Sequence, residues 1–551
     1  MKRDTEALGR GEHDILVIGG GIYGAAVLRE AALRGLSAAL VEQRDFCGAT
    51  SANSLKIIHG GLRYLQQADL PRIRESVYER RAFLRTAPHL VEPLPCVMPT
   101  HGHVARSRAV MRAALWINDL LSYDRNRSVD PARQLPAGQI LSRQEVRRLL
   151  PGLPSAPVTG GVLWHDAIAY DTERIVVGMV RSAVAAGAAA ANYVRAVQYR
   201  REGSRITGIL ARDLLTGREF PVAARMVLNC AGAWSGALLR ALPMPVSGPA
   251  QGLALVMNFV LDRELIPRYA AGLSSARGRL LFFVPWRDRT MVGTFARWHE
   301  GHPDDAAVRG EDIQSSLQAI NQAYPGAGVE QDQIAHVHAG LMPASPPSTP
   351  NDEPSVARRF EILDHARRDG VGGLLTVVGV KYTTARDVAA RVIEAAIGQL
   401  AKRCPPSLSD ERPLPGGDIA DVGRFFSEAL ARLPPQMPAA AAIHLLRSYG
   451  TEYDPLLTLG QEDPRLLQPV GKSQDVIGAE VLFAVRSEMA QTLSDVVFRR
   501  TGLGTRGMPD AMTLEACASL MGNELGWDAS RIRSETADCQ PMPGFSRQFT
   551  L

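Results

Sequence analysis

One stretch constrains this chain more than any other. Residues 14–42 read DILVIGGGIYGAAVLREAALRGLSAALVE. The apolar run Ile15–Ile18 predicts a buried parallel strand. Gly19, Gly21 and Gly24 follow at fingerprint spacing. Ala25, Val27, Leu28, Ala31 and Ala32 then recur with helical period, and Ala38–Val41 predicts a second strand closed by Glu42. Each glycine has a physical reason: a turn no side chain tolerates, close approach of a pyrophosphate to backbone, and tight helix–strand contact. The helix N-terminus offers free N–H groups to phosphates. Glu42 is placed to accept ribose hydroxyls and would repel a ribose 2′-phosphate. The unit reads as a dinucleotide site, and the glycines alone do not choose between NAD and FAD.

A chain of 551 residues has room for two or three domains. A net charge of +5 is small for that length, and no Lys/Arg run carries interleaved aromatics, so nucleic acid is not an expected partner. Six cysteines lie scattered without a CxxC pair, as suits a reducing compartment. The polar first residues lack a signal-peptide core, and no long uncharged apolar run exists. The expectation is a cytoplasmic protein whose membrane contact, if any, is peripheral. His101/His103 and His336/His338 are spaced i, i+2 without a third ligand, so no metal is expected. No Gly-x-Ser-x-Gly elbow supports a hydrolase.

Residues 45–65, DFCGATSANSLKIIHGGLRYL, are small and polar and directly follow the second strand. Their backbone can run close past a bound cofactor, with Thr50, Ser51, Asn53 and Ser54 as donors. Lys56, His59, Arg63 and Tyr64 crowd polar chemistry beside Gly60 and Gly61. Helices are predicted over 70–90, over 106–123 and, after a turn beginning near Trp164, through residue 188. The second is amphipathic, with Met111, Leu115, Trp116 and Leu120 on one side and arginines at its start. It suits either an anionic membrane surface or the face of a second domain, the latter slightly favoured. Strands are predicted at 253–261, 279–285 and 290–295, the last two joined by a tight WRDR link. A Pro-rich linker at 403–416 precedes a mainly helical end.

GGGIYGAAVLREAALRG followed by SLKIIHGGLRYL resembles the FAD-dependent glycerol-3-phosphate dehydrogenases, flavoproteins built like D-amino-acid oxidase. The resemblance runs through almost the whole chain and implies FAD. It implies an α/β fold with a Rossmann-like FAD-binding domain, a mixed or antiparallel substrate sheet and a C-terminal helical domain. The boundaries it suggests give 1–100, 166–245 and 346–402 to the FAD domain, 101–165 to a cap segment, 246–345 to the substrate sheet and 403–551 to the helical domain. MVLNCAGAWS (226–235) is similar to a second dinucleotide-contacting strand, which adds Ala231, Gly232 and Trp234 to the cofactor set. GLLTVVGVKYTTAR (373–386) is similar to a closing motif that brings Gly379, Lys381, Tyr382 and Thr383 to the flavin, with Thr383 and Thr384 as helix caps. A lysine and a helix N-terminus there would favour electron uptake by the flavin.

A flavin hydride acceptor leaves few tasks for side chains. Arg63 and Lys381 are the candidates for polarising the alcohol or the flavin, and a desolvated Lys381 could serve as base. His59 contacts flavin or substrate, or only hydrogen-bonds backbone. The phosphate end departs from the family. Met342 stands where an arginine is usual, in Ala339-Gly340-Leu341-Met342-Pro343. Ala250-Gln251-Gly252-Leu253 and Gly293-Thr294-Phe295-Ala296 likewise lack the usual polar residues, leaving Arg297 and Arg287 as nearby cations. Methionine offers a dianionic phosphate nothing. The expectation is oxidation of a secondary alcohol, glycerol 3-phosphate or a relative, with a quinone or another electron acceptor. The alternatives are a different polyol or hydroxy compound, or a flavin-binding protein without turnover. A homodimer is left open.

Overall fold

The computed structural model describes the chain except residues 103–107, 154–157, 243, 276–277, 350–351 and 541–551, and except the side chains of residues 63, 66, 67 and 108. The glycine-rich unit forms as expected: strand Glu12–Ile18, helix Ile22–Leu33, strand Ala38–Val41. These strands anchor an eight-stranded sheet. Glu12–Ile18 runs parallel to Ala38–Val41 on one side and to Glu219–Asn229 on the other. Ala189–Ala191 and Leu374–Val378 extend the parallel core, and Glu361–Asp364 closes one edge antiparallel.

Both faces of this sheet are covered, which is why its central strands read as unbroken apolar runs. Ile15, Val17 and Leu40 meet the helices Ile22–Leu33, Thr172–Ala185 and Ala385–Leu400. Leu16, Ile18, Ala39 and Val41 meet the antiparallel strands Val194–Glu202 and Arg205–Asp213. Asp171 caps the middle helix by accepting from Arg174 N–H at 2.9 Å.

A ten-stranded, mostly antiparallel sheet forms the second body. Gly252–Leu261 lies between Arg289–His299 and Ile334–Ser345, with Leu280–Trp286 hairpinned onto Arg289–His299 as the WRDR link predicts. Val91–His101 and Val158–Ala169 also belong here, the latter where a turn was expected near Trp164. Residues 91–100 of the segment expected in the FAD domain therefore pair within the second sheet. Helix Leu70–Thr86 stops two residues short of Pro88, as a proline's effect on preceding residues requires. Helix Arg108–Leu121 is split: Met111 and Leu115 pack on Leu94, Cys96 and Trp164, while Trp116 and Leu120 are exposed.

The C-terminal residues form helices, and two of their arginines are not solvated. Arg499 and Arg500 lie in a π-helical turn, fully enclosed. Arg500 gives two hydrogen bonds to Asp45, at 2.7 and 2.8 Å, and Arg499 adds one at 2.7 Å. Arg486 behaves as a surface residue, paired with Glu524 at 2.7 Å.

Candidate active site

The turn after Ile18 is shaped by contacts its glycines allow. An added Cβ at Gly24 would land on the Gly19 carbonyl oxygen, and one at Gly19 (φ +108°) would sit 2.7 Å from the Cys230 carbonyl. Gly21 differs. It is the N-cap of helix Ile22–Leu33 with no side-chain cap, and its added Cβ would meet only Ser51 Oγ, at 3.1 Å. The turn therefore presents open backbone at a helix N-terminus, the surface a pyrophosphate needs. Ser51 Oγ accepts from Ile22 N–H at 2.9 Å and fixes the loop 45–54 across it.

Glu42 accepts N–H groups from Gly20 at 2.6 Å and Arg44 at 2.8 Å. Burial raises its carboxyl above the usual range. Each oxygen keeps a second lone pair, so ribose hydroxyls can still be bound. Gly232, in the left-handed region at φ +57°, has nothing within 4 Å of an added Cβ. Next to it Trp234 donates Nε1–H to Asp304 at 3.0 Å, and Arg44 stacks over its ring. These residues fit the dinucleotide end of FAD.

The closing motif returns to the same turn. Tyr23, on the glycine helix, donates to Lys381 C=O at 2.8 Å and accepts from Val380 and Lys381 N–H. Tyr382 donates to Thr172 C=O at 2.8 Å, and Thr383 is buried beside it. The expected threonine cap is absent: a 3-10 turn, Tyr382–Thr384, leads directly into helix Ala385–Leu400, and Thr384 makes no side-chain cap bond. Lys381 Nζ donates to Ser76 Oγ at 2.7 Å and sits 4.9 Å from the centre of the Tyr64 ring. Arg72 faces that ring at 4.6 Å, and His59 lies 6.3 Å from it. Tyr64 thus gathers His59, Lys381 and Arg72. Arg63 occupies the same 3-10 turn, Leu62–Gln67, and its side chain lies outside the described residues.

The second sheet closes over this loop. Asn258 donates to Asn53 C=O at 3.2 Å, and Thr50 donates to Leu341 C=O at 2.8 Å while packing on Gly340. Ser54 Oγ accepts from Lys56 N–H at 3.3 Å. Met342 pairs with Ala254 and Ala296 with Val256, so both share this loop-facing side. Leu253 does not. It pairs with Pro343 and packs into the cluster on the opposite face, because strand side chains alternate. Arg297 is bound to Asp312 at 2.8 Å and Arg287 to Asp475 at 3.0 Å, so neither serves as the substitute cation.

The description of FAD-dependent oxidoreductases matches residues 14–385, and that of the C-terminal domain of alpha-glycerophosphate oxidase matches residues 407–532. A glycerol-3-phosphate dehydrogenase of Mycobacterium leprae is 32% identical, covering 97% of this chain and 88% of that protein. One from Synechocystis is 30% identical, covering 89% of each. The chain belongs to the FAD-dependent glycerol-3-phosphate dehydrogenase family. Its fold agrees: the FAD complex of glycerol-3-phosphate dehydrogenase from Bacillus halodurans aligns with a TM-score of 0.72 at 23% identity, covering 96% of this chain and 94% of that one. As a member of this family, the chain is an FAD-dependent oxidoreductase acting on a CH–OH donor.

What sequence reading missed in this dehydrogenase-family site is its support. Asp45 begins the cofactor loop and is fully buried. Burial alone would raise its carboxyl, but Arg500 and Arg499 outweigh that and hold it at about 2. Lys56, also enclosed, donates to Ala52 C=O, Thr172 and Glu173 at 2.7–2.9 Å. Asp45 and Arg500 are 455 residues apart, and no local pattern links them. Tyr23 was the one legible signal, a hydroxyl placed between two fingerprint glycines.

Proposed function

We propose that the enzyme oxidises the secondary alcohol of a polyol phosphate or a related hydroxy compound, and that glycerol 3-phosphate itself is a poor substrate. The observation that carries this reading is the apolar pair Met342 and Ala296 on the sheet face that covers the cofactor loop. Bound FAD supplies the two-electron acceptor. Gly19, Gly21, Gly24 and Glu42, with Ser51 and Ala231–Trp234, hold its dinucleotide end. Lys381 supports electron uptake at the flavin's edge, and Tyr64 orders Lys381 and His59 toward the alcohol. A quinone or other acceptor then takes the electrons. No helix of the described residues is long and apolar enough to cross a membrane. Val110, Trp116, Ile117 and Leu120, exposed on helix Arg108–Leu121, suit a peripheral membrane contact.

Anaerobic bleaching of the bound flavin tests this against polyols, polyol phosphates and hydroxy acids. Bleaching by at least one polyol phosphate, with weak response to glycerol 3-phosphate, is expected. Efficient turnover at micromolar glycerol 3-phosphate would reject the rebuilt pocket. Lys381→Met should lower the flavin's reduction potential, measured by dye equilibration; an unchanged potential removes Lys381 from that role.

A further inference from the structure

Beside the Tyr64 cluster lies a cleft of about 640 Å³, within the range of small-molecule sites. Its walls are the start of helix Leu70–Thr86, the end of the strand that carries Met342, and residues 355–359. Arg72, Arg358, Arg359, Gln251, Ser345 and Ser355 supply its polar lining.

Two of these arginines are placed for an anion. Arg72 is only 9% exposed, and among the described residues it forms no ion pair. Its guanidinium is held over the Tyr64 ring instead. Arg358, across the cleft, also has no carboxylate partner among the described residues. The one acidic group in the lining, Asp69, is neutralised by Arg359 at 3.3 Å and caps the helix through Arg72 N–H at 3.4 Å. Gln251 lines the cleft, and its buried Oε1 has no hydrogen-bond partner among the described residues, a polar atom left to be satisfied.

The cleft is also tied to the reacting end. Arg72 and Lys381 lie 4.6 and 4.9 Å from the same ring centre, so the two cations are less than about 10 Å apart. Ala357 N–H donates to Pro343 C=O at 2.7 Å, which binds the 355–359 wall to the residue after Met342. The cleft thus carries cations beside the strand end where Met342 supplies none.

We propose that this cleft is a second anion subsite, and that it takes the terminal phosphate of an alditol phosphate longer than three carbons. The proposal rests on the reading that this chain oxidises a polyol phosphate with FAD. The phosphate sits between Arg72 and Arg358, and a hydroxyl of the chain donates to Gln251 Oε1. The alcohol that is oxidised lies toward Lys381 and Tyr64. Asp69, already paired, orders Arg359 at the mouth.

The test is steady-state kinetics of the FAD-loaded full chain with an artificial dye acceptor. Its substrates are glycerol 3-phosphate, five- and six-carbon alditol phosphates, and the same alditols without phosphate. The longer esters should exceed glycerol 3-phosphate in kcat/KM by about tenfold or more, and the unphosphorylated alditols should fall well below them. Arg72→Gln and Arg358→Gln should each narrow that preference about tenfold, through KM, and Arg358→Lys should restore part of it. Arg358→Gln decides the matter if the buried Arg72 variant does not fold, since Arg358 is exposed. A preference unmoved by Arg358→Gln overturns the subsite. So does flavin reduction by glycerol 3-phosphate with no response to longer esters, although FAD-dependent alcohol oxidation then stands. A flavin that no polyol phosphate bleaches rejects both.

Discussion

The cofactor end and the substrate end of this molecule are built from different materials. Around the glycine turn the recognition surface is backbone: open N–H groups, close-packed glycines, and polar atoms already partnered. Gly20 and Arg44 N–H go to Glu42, Lys381 and Val380 N–H go to Tyr23, and Asp45 is enclosed by two arginines. Toward the substrate end, recognition passes to side chains on a strand face and a cleft wall. The difference teaches where a family can change its substrate. Replacing one residue on a strand face alters charge and leaves the hydrogen-bond ladder intact. Replacing Gly19 or Gly24 in the turn alters the fold, because each is pressed against backbone.

The largest expected effect breaks the comparison at the cofactor end. Arg500→Ala leaves buried Asp45 with Arg499 as its remaining cation and Asn192 as a neutral donor, and should cost roughly 3–5 kcal/mol of stability, with loss of flavin. Arg358→Ala, at the exposed cleft wall, should stay within about 0.5 kcal/mol. Urea unfolding of both variants checks the contrast, and equal midpoints would mean the Asp45 clamp carries no stability. Gly21→Val should remove FAD while the apo protein stays folded, since its Cβ meets only Ser51 Oγ. Full flavin occupancy in that variant would show that the turn is not the site.

A pH dependence separates the two ends further. His89 is 1% exposed, and neither ring nitrogen has a partner. Burial, then Arg174 and Arg133, pushes its pKa down to about 3. Below pH 6.5 the unfolded chain takes up a proton that the folded one refuses. Stability from His89 is thus fully present above about 6.5 and falls toward pH 3, at roughly 1.4 kcal/mol per unit. His89→Gln should flatten this slope, losing about 2 kcal/mol less than the parent between pH 6.5 and 5. Parallel stability curves for the two proteins would refute it. Among the described residues the cleft lining holds no histidine, so acid should unfold the enzyme from its core and not through the cleft.

Much of the cofactor end was legible because its rules are local. Glycine spacing, apolar runs and the terminal Glu42 lie within 29 consecutive residues. The substrate end resisted for two reasons. Leu253 and Met342 read alike as apolar replacements, yet pairing register sends Leu253 to the far face, and register is a property of two strands. The cleft joins residue 72 to residue 358, and the Asp45 clamp joins residues 45 and 500. Such contacts follow from topology, which composition does not encode. Helix Arg108–Leu121 lies between these cases: its period is visible, but one apolar side is divided between the sheet and solvent.

The smallest expected effect sharpens the comparison rather than breaking it. Met342→Arg restores a cation on the loop-facing side of strand Ile334–Ser345. The site tolerates the change, because Met342 is only half-buried and its pairing with Ala254 is through backbone. A charge-assisted bond to phosphate is worth roughly 1.5–3 kcal/mol. Ordering a long arginine offsets part of it, by about 1 kcal/mol. The net is about tenfold in the KM for glycerol 3-phosphate, measured with the dye acceptor. The KM for a longer alditol phosphate should respond less, since its phosphate lies at Arg72 and Arg358. An equal gain for both substrates would mean that one phosphate position serves both, adjacent to residue 342. No gain, with a parent already efficient on glycerol 3-phosphate, would mean the pocket was never short of charge.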